Sequence, residues 1–167
     1  RHDQVHGLEA HVTPLGPAAR AALDGIWRGL TGTAHGAAET LTVKGRAVRV
    51  PEAAQGVARF AFADLCEAPL GASDYAAIAR AFHTVIVDDI PVIDAGRRDV
   101  ARRFINLVDV LYDNGVKLAA SAAAEPDALY KAPSGEEDFA FRRTASRLTE
   151  MRSAAYLAAE RPARHEA

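Results

Sequence analysis

Asp88 and Asp89 close the apolar run Thr84-Val85-Ile86-Val87, and paired carboxylates at a strand end can hold Mg²⁺ or position a water for phosphoryl transfer. The same pair can also be plain surface acids of a turn or helix entry, facing Arg97, Arg98 or Arg102. The second reading is preferred. Mg²⁺ is normally shared with bound phosphates, and no G-x-x-x-x-G-K-[ST] or G-x-G-x-x-G stretch occurs anywhere in the chain to cradle them. No metal is therefore assigned, with Asp88 and Asp89 kept as the acids to watch.

Arg143 and Arg147 are the stronger pair. Four residues apart, they share a helix face, where like charges oppose each other by about 0.2–0.5 kcal/mol, so something acidic should face them. A triphosphate would suit, because a guanidinium fork donates two parallel hydrogen bonds. So would protein carboxylates such as Glu136, Glu137, Asp138 and Glu150. Either Arg is a possible sensor or finger toward nucleotide, within the chain or across subunits. Arg103 flanks the buried stripe of its own helix and could reach a sheet edge or an adjoining domain, while Arg102 should face solvent. Arg103 and Ser121 are the residues to consider on the nucleotide-binding side. Cys66 with His83 could be a nucleophile and base, but no third partner or oxyanion hole is identifiable, and core packing is the expected role of both. His2, His6 and His11 lack companion ligands for a metal and are read as solvated.

The elements that must carry these groups follow from hydrophobic period. Residues 1–12 are polar and read as a lead into structure. After Gly16-Pro17, Leu23, Ile26, Trp27 and Leu30 recur at helical spacing, and Thr31 to Glu39 reads as a flexible connection. Leu41-Thr42-Val43, Val48-Arg49-Val50 and Arg59-Phe60-Ala61-Phe62 alternate as strands of a small antiparallel unit. Ser73 caps a helix carrying Tyr75, Ile78, Ala79 and Phe82. Asp94 caps another, with Val100, Phe104, Leu107, Val108 and Leu111 on one face and Asn114-Gly115 at its end. Val116 to Ala120 is then a second strand after Thr84 to Val87, making a right-handed parallel crossover covered on both faces. A final helix from Arg142 to about Ala159 docks through Leu148, Met151 and Ala155. Ligands enter open α/β sheets at the carboxyl ends of strands, where Asp88, Asp89 and Ser121 lie.

The fold class is thus α/β, a parallel βαβ crossover with an added antiparallel hairpin and flanking helices. The expected division is a lead and helix at 1–38, an α/β domain at 39–159 and a mobile tail at 160–167. With 167 residues, 49% hydrophobic and 25% charged, the chain can bury a full core. A formal net charge of -2 argues against a broad basic surface for nucleic acid. The single cysteine excludes an internal disulfide and suits a reducing, cytoplasmic setting. No apolar run approaches the roughly 20 residues of a membrane helix. A start at Arg1 fits a processed or truncated product.

An ordered set of segments carries a family resemblance: Phe62-Ala63-Asp64-Leu65-Cys66, Asp74-Tyr75, Phe82-His83-Thr84-Val85, Asp89-Ile90-Pro91-Val92, Ala101-Arg102-Arg103-Phe104-Ile105, Val116-Lys117-Leu118, Ser121-Ala122 and Arg143 through Met151. From about His11 to Leu157 the chain resembles the C-terminal half of the ZapE/Afg family of P-loop ATPases. The resemblance implies part of a P-loop ATPase-like architecture, Mg-ATP as cofactor of the full-length protein, and a bacterial cell-division role on FtsZ polymers, with a peripheral position at the inner-membrane division site. Its eukaryotic members are mitochondrial. The family's N-terminal half, with its Walker A Lys and principal Walker B acids, has no counterpart here. The expectation is therefore an ATPase portion that lacks a bound cofactor of its own and partners the missing half, FtsZ or further copies of itself. The alternatives are a stand-alone α/β protein-interaction module without catalysis and a small hydrolase using Asp88 and Asp89.

Overall fold

The computed structural model describes residues 9–153. His2, His6, the tail at 160–167 and the last turns expected of the final helix lie outside them.

Val57 to Ala61 alternates its side chains across a sheet and so decides what each face buries. Ala58 and Phe60 point to one side, Val57 and Arg59 to the other. The sheet has six strands: β1 (His11–Val12), β2 (Ala37–Val43), β3 (Arg46–Ala54), β4 (Val57–Ala61), β5 (Thr84–Ile90) and β6 (Lys117–Ala122), in the order β1-β6-β5-β4-β3-β2. β1, β6, β5 and β4 run parallel, while β3 is antiparallel to both β4 and β2. The expected three-stranded antiparallel unit is present. Its last strand is also the first of the parallel set.

Five α-helices cover the sheet: α1 (Pro17–Thr31), α2 (Phe62–Cys66), α3 (Ala72–Ala81), α4 (Arg98–Asp113) and α5 (Gly135–Met151), with a 3₁₀ turn at Pro126–Ala128 before α5. Among the described helices α1 covers one face, where Leu23, Ile26 and Trp27 meet Val57, Ile86 and Ala119. The other four helices close the opposite face over Phe60, Val85, Val87, Leu118 and Ala120. The parallel connection β5–α4–β6 is the βαβ crossover expected of the sequence, and β4–α2–α3–β5 is a second one, which the reading of β4 as part of an antiparallel unit did not include. Burying β5 on both faces explains why it reads as a continuous apolar run rather than an alternating one.

Several local expectations need correction. His11 and Val12 are an edge strand rather than a lead, because a two-residue parallel ladder to Ala120 and Ser121 has too short a period to be read. Leu30 is exposed, one turn beyond the buried stripe of α1. The connection after α1 is short and, at Gly36, packed against β3 and α1. The Gly36 amide donates to Glu52 at 2.8 Å, and a Cβ at Gly36 would overlap the Ala53 carbonyl and stand 2.9 Å from the Trp27 ring. α3 begins at Ala72, its first turn held by Asp74, whose side chain accepts from the Gly71 amide at 2.8 Å. α4 begins at Arg98, four residues after Asp94. α5 begins seven residues before Arg142, at a Ser134 cap whose hydroxyl accepts from the Glu137 amide and donates to the Glu137 carboxylate.

Candidate functional site

At the carboxyl ends of β4 and β5, Arg59 joins three elements. Its Nε and Nη2 donate to the two carboxylate oxygens of Asp88 at 2.7 and 2.9 Å, and its Nη1 donates to Asp24 of α1 at 2.8 Å. The Arg59 and Asp88 side chains are only 11% and 12% exposed. Charge this poorly solvated is tolerated because every nitrogen of the fork finds an acid. The pairing raises the Arg59 pKa further still, the Asp88 hydrogen bonds outweighing the burial that opposes it.

One residue on, the chain turns sharply. Asp89 has φ 67°, its amide donates to the buried Ser121 hydroxyl at 2.8 Å, and its half-exposed carboxylate lies 3.5 Å from Arg20 of α1. Asp89 thus faces Arg20, whereas Asp88 faces Arg59. The two neighbouring acids therefore do not converge on one point. Both Asp88 oxygens are taken by Arg59, and no group of three His, Cys, Asp or Glu side chains among the described residues is arranged to hold a metal ion. Ser121 acts on the backbone of this turn.

A cleft of about 800 Å³ opens beside the Arg59 cluster, between α1, the second half of β3 and the start of α2. Arg20, Arg28 and His35 line it together with Asp24, Glu52 and Asp64, so neither sign of charge dominates. Sequence reasoning missed Arg59, Asp24 and the α1 arginines. The available signal was Arg59 itself, a guanidinium in the middle of an alternating strand whose other face carries Phe60.

The remaining site residues lie on the far face. Arg147 is 16% exposed, donates to Asp109 of α4 at 2.6 Å, lies 3.8 Å from Asp113 and stacks 4.6 Å from the Tyr112 ring centre. Its acidic partners come from the neighbouring helix rather than from the Glu136–Asp138 cluster, because α5 packs with this side against α4. Arg143, one turn earlier, is exposed and has no ion-pair partner among the described residues. Arg103 donates to the Cys66 carbonyl at 3.2 Å and lies 3.6 Å from Asp99, tying α4 to the end of α2. Arg102 is exposed. Arg97 and Arg98 pair with Glu67 and Glu137, not with Asp88 or Asp89. Among the six residues singled out from the sequence, Asp89 and Ser121 meet. Arg143, Arg147 and Arg103 belong to the opposite helical layer.

Cys66 is fully buried, and burial pushes its thiol up to about 12, far above any pH at which a thiolate nucleophile would form. The His83 Nε2–H donates to the Gln55 carbonyl at 2.9 Å, and its Nδ1 accepts from the Thr84 hydroxyl at 2.8 Å. Both imidazole nitrogens are occupied by structure. His11, read as solvated, is buried, and its Nε2–H donates to the Ala124 carbonyl at 2.9 Å.

The sequence signature of the family described as AFG1-like ATPase matches residues 1–160. The chain belongs to the AFG1-like ATPase family. It is 36% identical over 155 residues to "Cell division protein ZapE" of Escherichia coli (strain K12), a match covering 91% of this chain and 40% of that protein. It is also 36% identical over 146 residues to "Lactation elevated protein 1 homolog B" of Danio rerio, covering 70% of this chain and 29% of that protein. The chain thus spans less than half the length of these curated relatives. No solved structure matches it. The six-stranded, largely parallel sheet with helices on both faces is consistent with P-loop NTPase-like architecture, as family membership implies. Membership of this family suggests nucleotide use by the parent protein, yet the described residues offer no fit to a triphosphate and its metal. There is no Gly-rich phosphate turn, and the strand-end Asp88 is neutralised by Arg59 where a metal acid would have to be free. No helix among the described residues is long and apolar enough to cross a membrane.

Proposed function

We propose that this chain is the C-terminal portion of a ZapE-like ATPase, one that braces a nucleotide site built by other polypeptide of the full-length protein and presents Arg143 toward it. The observation that carries this reading is the coexistence of family membership with a sequence that holds no phosphate loop. Arg143 is preferred to Arg147. A guanidinium serving a triphosphate must be free to reach it, whereas Arg147 is already spent on two carboxylates and an aromatic ring. On this reading the full-length protein hydrolyses Mg-ATP in bacterial cell division, acts on FtsZ, and works peripherally at the division site. The Arg59–Asp88–Asp24 cluster serves as a fixed strut of the brace, and no step of hydrolysis is assigned to it.

Steady-state ATP turnover of the full-length protein tests the assignment. Arg143→Ala should lower kcat by at least about tenfold with little change in melting temperature, as removal of a charge-stabilising donor does. Arg147→Ala should instead lower the melting temperature, because Asp109 is left unpaired between two helices. Unchanged turnover in Arg143→Ala would remove Arg143 from the site.

The second reading, a stand-alone interaction module, has one observation in its favour: Phe139 of α5 is 73% exposed. Aromatic side chains are the kind of residue on which interface hot spots are built.

A further inference from the structure

The groove between the first turns of α4 and α5 contains a buried polar atom with nothing to bond. Tyr130 is 7% exposed, yet its hydroxyl has no hydrogen-bond partner. Its ring meets Phe141 edge-on at 5.5 Å between centres. Its neighbours are tied to Ile93, whose amide donates to the Leu129 carbonyl at 2.7 Å and whose carbonyl accepts from the Lys131 amide at 3.3 Å. The backbone on both sides of Tyr130 is thus held at the groove. Folds seldom keep a buried hydroxyl unpaired without a use.

The charged side chains acting on this phenol are Glu137, Arg98 and Arg102. Those same three, with Tyr130, rim a cavity of about 210 Å³. Between them its walls are hydrocarbon, from Ala101 and Ile105 of α4 and Ala140 of α5. Arg98 lies 3.2 Å from Glu137, a partly exposed contact that a competing acid can replace at small loss. Arg102 has no ion-pair partner among the described residues. Two guanidinium groups and an unused phenol donor thus converge on a cavity with apolar sides.

We propose that this cavity docks an acidic side chain of a partner polypeptide, whose carboxylate replaces Glu137 on Arg98, pairs with Arg102 and accepts the Tyr130 hydroxyl. The methylene stem of the incoming side chain lies against Ala101, Ile105 and Ala140. That apolar wall selects a carboxylate on a stem over inorganic phosphate, which has no apolar part to bury. The site lies on the α4–α5 layer and does not depend on where nucleotide binds.

The test uses the full 167-residue chain and N-acetyl-glutamate amide, the acidic side chain in its smallest capped form, with N-acetyl-glutamine amide and inorganic phosphate as controls. Amide NMR shifts should be saturable with the glutamate, concentrated at Arg98 to Ile105 and at Tyr130, and about tenfold weaker with the glutamine, as loss of a charge-assisted pair implies. Tyr130→Phe and Arg102→Gln should each weaken binding about tenfold, and Glu137→Gln should strengthen it. Tyr130→Phe should also melt at or above the wild-type temperature. That combination separates a binding hydroxyl from a structural one. Equal binding of glutamate and glutamine, tighter binding of phosphate than of glutamate, or no shift at all would overturn the proposal.

Discussion

Arg59 sits between Asp88 and Asp24 with its guanidinium nearly out of water, and the two acids contribute unequally because their solvation differs. Removing the charge of Asp88 leaves a guanidinium poorly solvated and half-satisfied, so Asp88→Asn should destabilise the chain by about 3 kcal/mol in urea unfolding. Asp24 is 48% exposed, and Asp24→Asn should cost less than about 1 kcal/mol. Equal losses at the two positions would contradict the geometry. His11 adds a pH dependence. Burial lowers its pKa below the ordinary 6.5, so the folded state keeps the ring neutral while the unfolded chain takes up a proton. The unfolded state then binds more protons below pH 6.5, and stability falls on acidification through that range. His11→Gln should flatten this acid limb between pH 7 and pH 5. Asp88 and Asp89 were legible as strand-end acids because a β-branched apolar run announces a strand. Arg59 was not, because pairing between β4 and β5 is a property of sheet register, which two strands separated by two helices do not declare.

Among the elements, those with a sustained period were readable. α1, α3 and α4 each repeat apolar residues at three and four, and β2 to β4 alternate around turn residues. Boundaries were less so. Asp94 looks like a helix cap in sequence, but the helix starts at Arg98. Ser134 is the genuine cap of α5, hidden because the Gly135–Asp138 turn has no apolar residue to begin a stripe. The stretch after α1 read as flexible because its residues are small. In the fold most of them are exposed, and Gly36 is the one on which Ala53 and Trp27 close. Gly36→Ala should accordingly destabilise the chain by about 1–3 kcal/mol, the added methyl meeting backbone rather than a side chain that could move. Gly29→Ala, with open space around it in an exposed helix interior, should be neutral or stabilising by up to about 1 kcal/mol. Thermal unfolding of the two variants checks both signs.

At the scale of the molecule, among the described residues α1 closes one face of the sheet and four helices close the other, which sorts the functional groups into two regions. Arg59, Asp88, Asp89 and Ser121 stand at the strand ends on the α1 side. Arg143, Arg147 and Arg103 stand in the α2–α5 layer. The parallel pairing of β5 with β6 and the family to which the chain belongs were both legible, the first from the crossover pattern and the second from an ordered run of segments. The absence of convergence between the two groups was not, since spacing along a chain says nothing about which face of a sheet a helix covers. The central claim is that these residues contain no triphosphate site of their own. Isothermal titration of the 167-residue chain with Mg-ATP addresses it most directly, beside the same titration of the full-length protein. The account predicts no saturable heat with the chain up to millimolar nucleotide and clear binding by the full-length protein. Tight, Mg-dependent ATP binding by the chain alone would contradict it.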